Sequence, residues 1–255
     1  VDAERIAAKL VELAKRKRRA SVVVVGGGVS GVEAVGVILR RRGPGDEYNS
    51  HIVEVESDIL EHLLDGLARE AAVRFASHPV TVHTNAVVEE VTARSVLLEG
   101  GEKLTSDLCI WSAGMALPGF LHDAGLKGMH DQWLPVDETL RSDYADNIFV
   151  AGDCAVLPAP IRKQAYYAMD MGEVAGDNIG RLLEGRSLEP FSAKPMPMLI
   201  SFGDITTWLV VGEAAVASPL RAAAKEGVYQ ATMARLASPH EPLKYSADIV
   251  GRAVM

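Results

Sequence analysis

The sequence contains little cysteine and no long apolar run. Its two cysteines, Cys109 and Cys154, stand far apart and alone, which excludes a CxxC redox pair and a four-cysteine zinc site and is typical of a reducing compartment. No apolar run reaches the roughly 18 residues needed to span a bilayer, and no signal peptide is predicted. We therefore expect a cytoplasmic protein, with a peripheral membrane contact left open.

An excess of positive charge is also missing. The net charge is -8 at pH 7, whereas a nucleic-acid-binding surface is basic, so no nucleic-acid partner is expected. The basic run KRKRR at 15–19 ends a helix predicted over 2–19, where its charges suit the negative end of the helix dipole; this is favoured over a targeting or nucleic-acid patch. The seven histidines lack HxxxH-like spacing. No metal site is predicted, and each histidine is expected to be a surface or packing residue.

The pattern of apolar segments predicts an α/β fold. The chain of 255 residues is 48% apolar, which is ordinary for a globular protein large enough for two small domains. Strands at 22–25, 51–57 and 80–84 alternate with helices at 30–42 and within 58–78. This β-α-β-α-β order is typical of a parallel sheet with right-handed crossovers.

The second half of the sequence has a different texture. Short β-branched runs over 86–114 favour an antiparallel meander that returns to a buried strand at 107–112. A strand at 147–151 then ends at Gly152 and Asp153, and a helix follows over 163–184. After a Pro-rich linker at 185–198, the sequence predicts a strand at 208–216 and a helix at 220–236.

A glycine loop, GGGVSGVE at 26–33, lies between the first strand and the helix after it. It fits G-x-G-x-x-G as Gly26, Gly28 and Gly31. The first glycine permits a tight turn, the second lets the backbone approach a pyrophosphate, and the third lets the helix pack against the strand. Phosphates then bind the free N–H groups at the positive end of the helix. This context predicts a dinucleotide site.

Acidic residues near the loop bear on the identity of the dinucleotide. An acid at the end of the second strand binds the ribose hydroxyls of an adenine nucleotide. Glu56 is the predicted residue, and Glu54 is a rival expected to lie inside the strand. Ser57 and Asp58 follow, with no Arg or Lys to meet a 2′-phosphate, so NADH is favoured over NADPH. Glu33 has two interpretations of equal weight: a favourable charge in the first helical turn, or an acid near the nicotinamide.

The order of GGGVSGVE, IWSAG at 110–114 and NIFVAGDCA at 147–155 closely resembles the two-dinucleotide-binding flavoprotein superfamily. Within it, the sequence is similar to type II NADH:quinone oxidoreductases and to apoptosis-inducing-factor-like quinone reductases over about residues 2–236. The resemblance implies a Rossmann-like NAD-binding domain, with a parallel sheet and an antiparallel meander, followed by the C-terminal part of a split FAD-binding domain and a small C-terminal α+β segment. The expected divisions are a linker helix at 1–20, the NAD(H)-binding domain at 21–117, the FAD-domain part at 118–190 and an acceptor-side segment at 191–255.

The resemblance also implies which residues contact the two cofactors, NADH and FAD. Ala113 and Gly114 would line the nicotinamide side, Asp153 would hold the ribityl and pyrophosphate part of FAD, and the helix from Ala165 would present its N-terminus to the flavin ring. The predicted cofactor-binding residues are Gly26, Gly28, Val29, Gly31, Glu33, Glu56, Ala113, Gly114, Gly152, Asp153 and Ala165. No catalytic side chain is predicted, because the cofactors carry the hydride chemistry.

The sequence departs from the family pattern at two points. The family begins with an FAD-binding βαβ unit that has its own glycine loop, and this sequence has no counterpart to it. We therefore expect an NAD-binding domain joined to the second half of an FAD domain, with weak FAD binding unless the other half is supplied. Type II enzymes also carry A-Q-x-A-x-Q after the Gly-Asp motif, whereas AYYAMD stands at 165–170 and looks more like the apoptosis-inducing-factor-like branch.

Three functions remain open on the sequence. The leading one is an NADH-dependent flavoprotein oxidoreductase that passes electrons to a quinone or other small acceptor. The second is an NADH-binding module without catalysis, and the third is a reductase for a ferredoxin-like protein. A homodimer is left open, and the C-terminal helix is expected to pack on the protein rather than on a bilayer. Cys154, beside Asp153, is expected to be a small packing residue.

Overall fold

A computed structural model describes residues 2–16, 19–40, 48–61, 63–126, 133–203, 205–218 and 222–236. The chain divides into two compact units. The first comprises Val1–Gly114 with Met196–Met255, and the second is Met115–Pro195. The predicted assignment of cofactors to segments of the chain stays a prediction.

A four-stranded parallel sheet forms the centre of the first unit. Its strands are β1 (Ser21–Val25), β2 (Asn49–Val53), β3 (Val80–His83) and β7 (Leu108–Trp111), in the order β3-β2-β1-β7. Every residue of β1 is buried, which explains its uninterrupted valines, because a central parallel strand is covered on both faces. The crossovers contain α2 (Val29–Arg40) and α3 (Asp65–Phe75).

An antiparallel meander covers one face of this sheet, as the sequence predicted. It consists of β4 (Val88–Val91), β5 (Ser95–Leu98) and β6 (Lys103–Thr105). Its apolar side chains pack against the odd-numbered residues of the central strands. The buried members of this layer are Val23, Val25, Val53, Val96, Leu98 and Leu104.

Helices and the C-terminal segment cover the opposite face. The first helix, α1 (Asp2–Ala14), buries Leu10 and Leu13 there, and the Tyr48 hydroxyl donates a hydrogen bond to the Leu10 carbonyl at 2.9 Å. The helix is shorter than the predicted 2–19. Arg16 lies beyond its end and pairs with Glu12 and Asp107 instead of capping the dipole, and residues 17 and 18 lie outside the described part.

The C-terminal segment packs on α2 through a contact between two glycines. It forms an antiparallel sheet of β10 (Met198–Phe202), β11 (Thr206–Val211) and β12 (Ala214–Ser218), followed by α6 (Ala222–Leu236). A Cβ on Gly36 would lie 2.5 Å from the Gly203 nitrogen, so the helix and the turn approach backbone to backbone. The single strand predicted at 208–216 is wrong: a turn at Gly212 divides it into two strands, and β10 was not predicted.

The second unit is small and has its own core. It contains α4 (Gly119–Asp123), β8 (Leu134–Pro135) paired in parallel with β9 (Ala155–Val156), and α5 (Ala165–Leu183). Its buried side chains are Leu134, Val136, Leu140, Val150, Leu157, Met171 and Ala175. The strand predicted at 147–151 is wrong, since only an isolated bridge from Phe149 to Arg141 forms there.

Two element boundaries near the glycine loop also differ from the predictions. The second strand ends at Val53 rather than at residue 57, and the helix predicted within 58–78 is confined to α3, with a turn before it. Glu54 therefore lies just outside the strand and not inside it. None of the helices in the described ranges is both long enough and apolar enough to cross a membrane.

Candidate functional site

The first and third glycines of the loop are required by the protein itself. Gly26 has a φ of +101°, and a Cβ on it would lie 2.8 Å from the Ala113 nitrogen. A Cβ on Gly31 would lie only 1.9 Å from the Gly26 carbonyl oxygen. Any side chain at these two positions would force the loop away from the sheet or from α2.

The second glycine is different, because space is open around it. Gly28 is exposed, and a Cβ built on it meets no described atom within 4 Å. Its carbonyl accepts the N–H of Val32 at 3.0 Å, so it stands at the start of α2, where the first-turn N–H groups lack partners within the helix. A side chain at this position would enter a cavity and would not collide with the fold.

That cavity has a volume of about 510 Å³ and lies at the carboxyl edge of the parallel sheet, where α/β proteins bind ligands. The residues that line it are Gly26, Gly28, Val29, Glu54, Val55, Glu56, Asp58, Leu60, Glu61, Leu63, Ser112, Ala113 and Gly114. Six of the predicted site residues therefore meet there. Gly31 lies beneath the loop, and Glu33 is not among the lining residues.

Glu54 is the acid that the structure ties to the glycine loop. One oxygen of its carboxylate accepts the N–H of Gly27 at 2.5 Å, and the other accepts the N–H of Glu56 at 3.1 Å. Glu54 is half-buried, whereas Glu56 is exposed. Because β2 ends one residue before Glu54, this carboxylate turns back toward the loop. Sequence reasoning named Glu54 only as a rival, since the strand was predicted too long.

The end of β7 forms the other wall of the cavity. The Ser112 hydroxyl bonds to the carbonyls of Val25 and Gly26, at 2.9 and 3.2 Å. These bonds hold Ala113 and Gly114 beside the loop, and Gly114 has a φ of +94°. The predicted pair Ala113 and Gly114 is thus positioned by a serine that sequence reasoning did not single out.

Glu33 points to the C-terminal segment. Its carboxylate accepts the N–H of Ser201 at 2.8 Å and pairs with the ammonium of Lys225. Both partners follow it by well over a hundred residues in the sequence. These contacts give the Glu33 carboxylate a third role, which is to join α2 to the C-terminal segment. Neither of the two interpretations from the sequence included it.

In the second unit, Gly152 and Asp153 lie in a 3-10 turn before a short loop that leads to α5. Gly152 has a φ of +78°, and Lys163 donates to the Asp153 carbonyl at 2.5 Å. Burial lowers the pKa of Lys163. The N-cap residue of α5 is Gln164 and not Asp153, and Gln164 makes no side-chain capping bond. The helix from Ala165 begins beside a cavity of about 80 Å³.

Cys154 belongs to the core of the second unit. Its thiol donates to the Ala151 carbonyl at 3.3 Å, and Cys154 packs against the buried cluster around Leu134. Burial raises the pKa of the Cys154 thiol, which disfavours the reactive thiolate.

A histidine pair lies away from the cavity, on the sheet face covered by the meander. The Nδ1 atom of His51 is 3.1 Å from Nε2 of His83, and Glu102 lies 3.8 Å from the other nitrogen of His83. The parallel register of β2 and β3 brings the two rings together, which linear spacing could not reveal. Within the described ranges, no group of three or more His, Cys, Asp or Glu side chains could hold a metal ion.

The His51 environment leads to a prediction for stability against pH. Burial lowers the pKa of His51, and the charge of a protonated His83 lowers it further. The neutral ring therefore stabilises the fold above the unfolded-state pKa of about 6.5, and this contribution is lost as the pH falls through the lower folded-state value. We expect the free energy of unfolding, measured with urea, to decrease as the pH is lowered from about 7 to about 5, and to decrease less in His51→Gln.

A matched control is His122→Gln, because the side chain of His122 is 65% exposed. This variant should keep the pH dependence of the unmodified chain. A slope that His51→Gln leaves unchanged would contradict the prediction.

The parallel sheet, the glycine loop and the cavity at the sheet's carboxyl edge define the first unit as a dinucleotide-binding α/β domain. Residues 2–172 match the pyridine nucleotide-disulphide oxidoreductase family, and the chain belongs to that family. The family and fold class predicted from the sequence are confirmed, and the predicted cofactors NAD(H) and FAD agree with this membership.

Individual relatives show the same kinship. A type II NADH:quinone oxidoreductase of Haemophilus influenzae is 26% identical over 207 residues, which cover 74% of this chain and 46% of that protein. A probable NADH dehydrogenase of Dictyostelium discoideum is 29% identical over 163 residues, which cover 60% of this chain and 36% of that protein. The chain thus spans half or less of these two relatives.

A solved structure has the same fold. NDH2 from Plasmodium falciparum, determined in complex with NADH, matches with a TM-score of 0.80 at 15% identity, and the match covers 98% of this chain and 71% of that one. At this identity the likeness concerns the fold alone.

Proposed function

We propose that this chain binds NADH in its first unit and is part of an NADH-dependent flavoprotein oxidoreductase that delivers electrons to a quinone-type acceptor. One observation carries the proposal: the bare Cα of Gly28 opens into a cavity at the start of α2. A helix N-terminus without an obstructing side chain is a binding site for phosphate. The names of the relatives given above supply the type of reaction, which is electron transfer from NADH to a quinone.

The residues of this site fit the pyrophosphate and the ribose of a dinucleotide. The first-turn N–H groups of α2 would bind the pyrophosphate beside Gly28, and Val29 lines the same wall. Ala113 and Gly114 would border the nicotinamide. Glu33 now contacts Ser201 and Lys225. We propose it as a neighbour of the nicotinamide ring only in a state in which these two contacts are broken.

We propose Glu54, ahead of Glu56, as the acid that binds the adenosine ribose. Each Glu54 oxygen accepts one backbone N–H, and a carboxylate has about four lone-pair sites, so each oxygen retains capacity for a ribose hydroxyl. Its partial burial and its two bonds hold the carboxylate in one orientation. The side chain of Glu56 lines the same cavity and is exposed.

In the second unit, the residues fit one end of an FAD group. Gly152, Asp153 and the N-terminus of α5, which starts at Ala165, offer backbone N–H groups and a carboxylate beside the small cavity. Its volume of about 80 Å³ is well below the roughly 300–1,000 Å³ of typical cofactor sites, so these residues would hold only part of the group. When bound, FAD supplies the acceptor for a hydride from NADH. The two sets of cavity residues, one in each unit, support segment 21–117 as the NADH domain and segment 118–190 as part of the FAD domain.

The same proposal includes the electron acceptor and a contact with the membrane. Names of the relatives favour a quinone, and a cytoplasmic protein attached to the membrane periphery would meet such an acceptor. A steady-state assay of the protein with NADH, added FAD and a soluble quinone should show NADH-dependent quinone reduction. If the visible absorbance of the purified protein shows that FAD is bound, NADH binding without turnover would favour the non-catalytic module, and turnover only with an iron–sulfur protein would favour the third function.

The acid assignment predicts an order among two variants. Glu54→Gln should weaken NADH binding about 10- to 100-fold, because a hydrogen bond to a charged group contributes about 1.5–3 kcal/mol. Glu56→Gln should weaken it by less than about threefold. Isothermal titration with NADH measures both affinities, and thermal unfolding of each variant checks that the fold is retained. A larger loss in Glu56→Gln than in Glu54→Gln would return the role to Glu56.

A further inference from the structure

Another cavity of the first unit, the amino-edge cavity, lies at the end of the parallel sheet away from the proposed NADH site. Its volume is about 440 Å³, within the roughly 300–1,000 Å³ of typical small-molecule sites. Because β1 has five residues, the two edges of the sheet are about 16 Å apart. The polar residues that line the amino-edge cavity are Lys9, Arg16, Arg94, Thr105, Ser106 and Asp107.

Hydrogen bonds of the fold fix the wall of the amino-edge cavity. The N–H of Asp107 donates to the Ser21 carbonyl at 2.8 Å, and the N–H of Ser21 donates to the Asp107 carboxylate at 3.0 Å. The N–H of Ser106 donates to the Arg94 carbonyl at 2.9 Å. This last bond ties the turn between β4 and β5 to the segment between β6 and β7, so the two parts of the wall hold one position relative to each other.

Three basic side chains line the amino-edge cavity, and acidic neighbours compensate only two of them. The Glu12 carboxylate pairs with Lys9 at 2.7 Å and with Arg16 at 2.8 Å. Asp107 pairs with Arg16 at 3.0 Å. Arg94 is exposed, and its side chain forms no ion pair or hydrogen bond with any residue that the structure describes. One guanidinium, a group that binds oxyanions through two parallel N–H bonds, is therefore available in a chain whose net charge is -8.

The Ser106 hydroxyl is a second group of this cavity that lacks a partner. Ser106 lines the cavity and is only 4% exposed. Its Oγ atom is buried and makes no hydrogen bond within the described part of the chain. A buried polar group without a partner destabilises a fold, and a ligand oxygen would supply the missing bond. Thr105, which lines the same cavity, has another hydroxyl.

We propose that the amino-edge cavity binds a small anion that carries a phosphate group, either free phosphate or a phosphate monoester. Arg94 would donate to two phosphate oxygens and the Ser106 hydroxyl to a third, while Lys9 and Arg16 add positive charge. A phosphate group has at least three acceptor oxygens and a charge of about -1.5 to -2, whereas a carboxylate has two oxygens and one charge. The site is separate from the proposed NADH site, and through Arg16 it uses part of the basic run KRKRR at 15–19.

Titration of the chain with inorganic phosphate, followed by amide correlation NMR spectra, tests this site residue by residue. The ionic strength is held at about 0.3 M with sodium chloride, so that general screening stays constant. Phosphate should shift the amide signals of Arg94, Ser106 and Asp107 in a saturable way. Phosphate bound at the glycine loop would instead shift the signals of Gly27 and Gly28, so the two sites are observed separately. A parallel titration with glycerol phosphate distinguishes a monoester from the free ion.

Three variants test the roles of individual side chains. Arg94→Gln should raise the dissociation constant for phosphate about tenfold, because a charge-assisted double bond is lost. Ser106→Ala should raise it about threefold. Glu12→Gln should lower it about threefold, because Lys9 and Arg16 are released from their ion pairs. A purely structural role of Glu12 would not tighten phosphate binding.

The matched control is Arg69→Gln, which removes another exposed arginine from α3, away from the amino-edge cavity, and should leave the dissociation constant unchanged. Saturable shifts with either phosphate or glycerol phosphate support the inference and identify the source of the phosphate group. Shifts that do not saturate, or that occur only at the glycine loop, overturn it. Equal weakening by Arg69→Gln and Arg94→Gln would show attraction by net charge alone, which also overturns it. An unchanged constant in Ser106→Ala overturns the role of that hydroxyl.

Discussion

Replacing Gly28 with valine should weaken NADH binding by at least about 100-fold while the fold stays intact. The Cβ at this position meets no described atom within 4 Å, so the branched side chain can be accommodated without strain in the protein. It would instead occupy the space at the start of α2 that the pyrophosphate requires. A ligand displaced from preorganised N–H donors loses several charge-assisted bonds, each contributing about 1.5–3 kcal/mol.

Isothermal titration with NADH measures this loss, and thermal unfolding should give a midpoint within about 2 °C of the unmodified chain. The matched control is Gly119→Val in α4, where a Cβ also meets no described atom within 4 Å and no cofactor role is proposed. NADH binding retained at near-native affinity in Gly28→Val would refute the placement of the pyrophosphate at this loop.

Replacing Gly31 with alanine should have the opposite effect and destabilise the fold itself. The added Cβ would lie 1.9 Å from the Gly26 carbonyl oxygen and 3.0 Å from the Ser112 hydroxyl. Neither neighbour can retreat easily, because Gly26 is fixed by a bond from its N–H to the Val53 carbonyl at 2.8 Å. Overpacking against backbone costs about 3 kcal/mol, which corresponds to a midpoint lower by about 6–12 °C in a chain of this size.

Thermal and urea unfolding test this second prediction. Gly66→Ala in α3 is its matched control, because a Cβ at Gly66 meets no described atom within 4 Å, and alanine in a helix should add about 0.4–1 kcal/mol to stability. A Gly31→Ala chain as stable as the unmodified one would show that α2 can shift away from β1, and the loop geometry described above would then be wrong.

One motif combines two requirements that a sequence pattern cannot separate. G-x-G-x-x-G predicts three glycines without saying which serve the fold and which serve a ligand. The structure divides them: Gly26 and Gly31 are confined by backbone atoms, and Gly28 borders open space. The distinction depends on distances to β7 and to the loop, which are fixed only after the chain has folded.

Most of the parallel sheet could be predicted from the sequence, and its boundaries could not. The run of valines in β1 and the alternation of strands with helices have a strong periodic signal. The end of β2 had no comparable signal, since the residues 54–57 alternate like a strand. A difference of four residues at that end moved Glu54 from an interior position to the glycine loop.

Contacts between distant segments were beyond the reach of sequence reasoning for a related reason. Glu33 meets Ser201 and Lys225 because Gly36 and Gly203 let the C-terminal sheet approach α2. His51 meets His83 because two parallel strands share one register. Neither pair is marked by spacing or composition along the chain.

By itself, the sequence determined the fold class, the family and the location of the dinucleotide motif, because these depend on local periodicity and on glycines at fixed spacing. Only the tertiary structure decided which acid faces the loop, which glycine is open to a ligand, and that four carboxylates share one cavity. Those properties arise from backbone direction and from packing distances between strands, which are fixed only when the chain has folded.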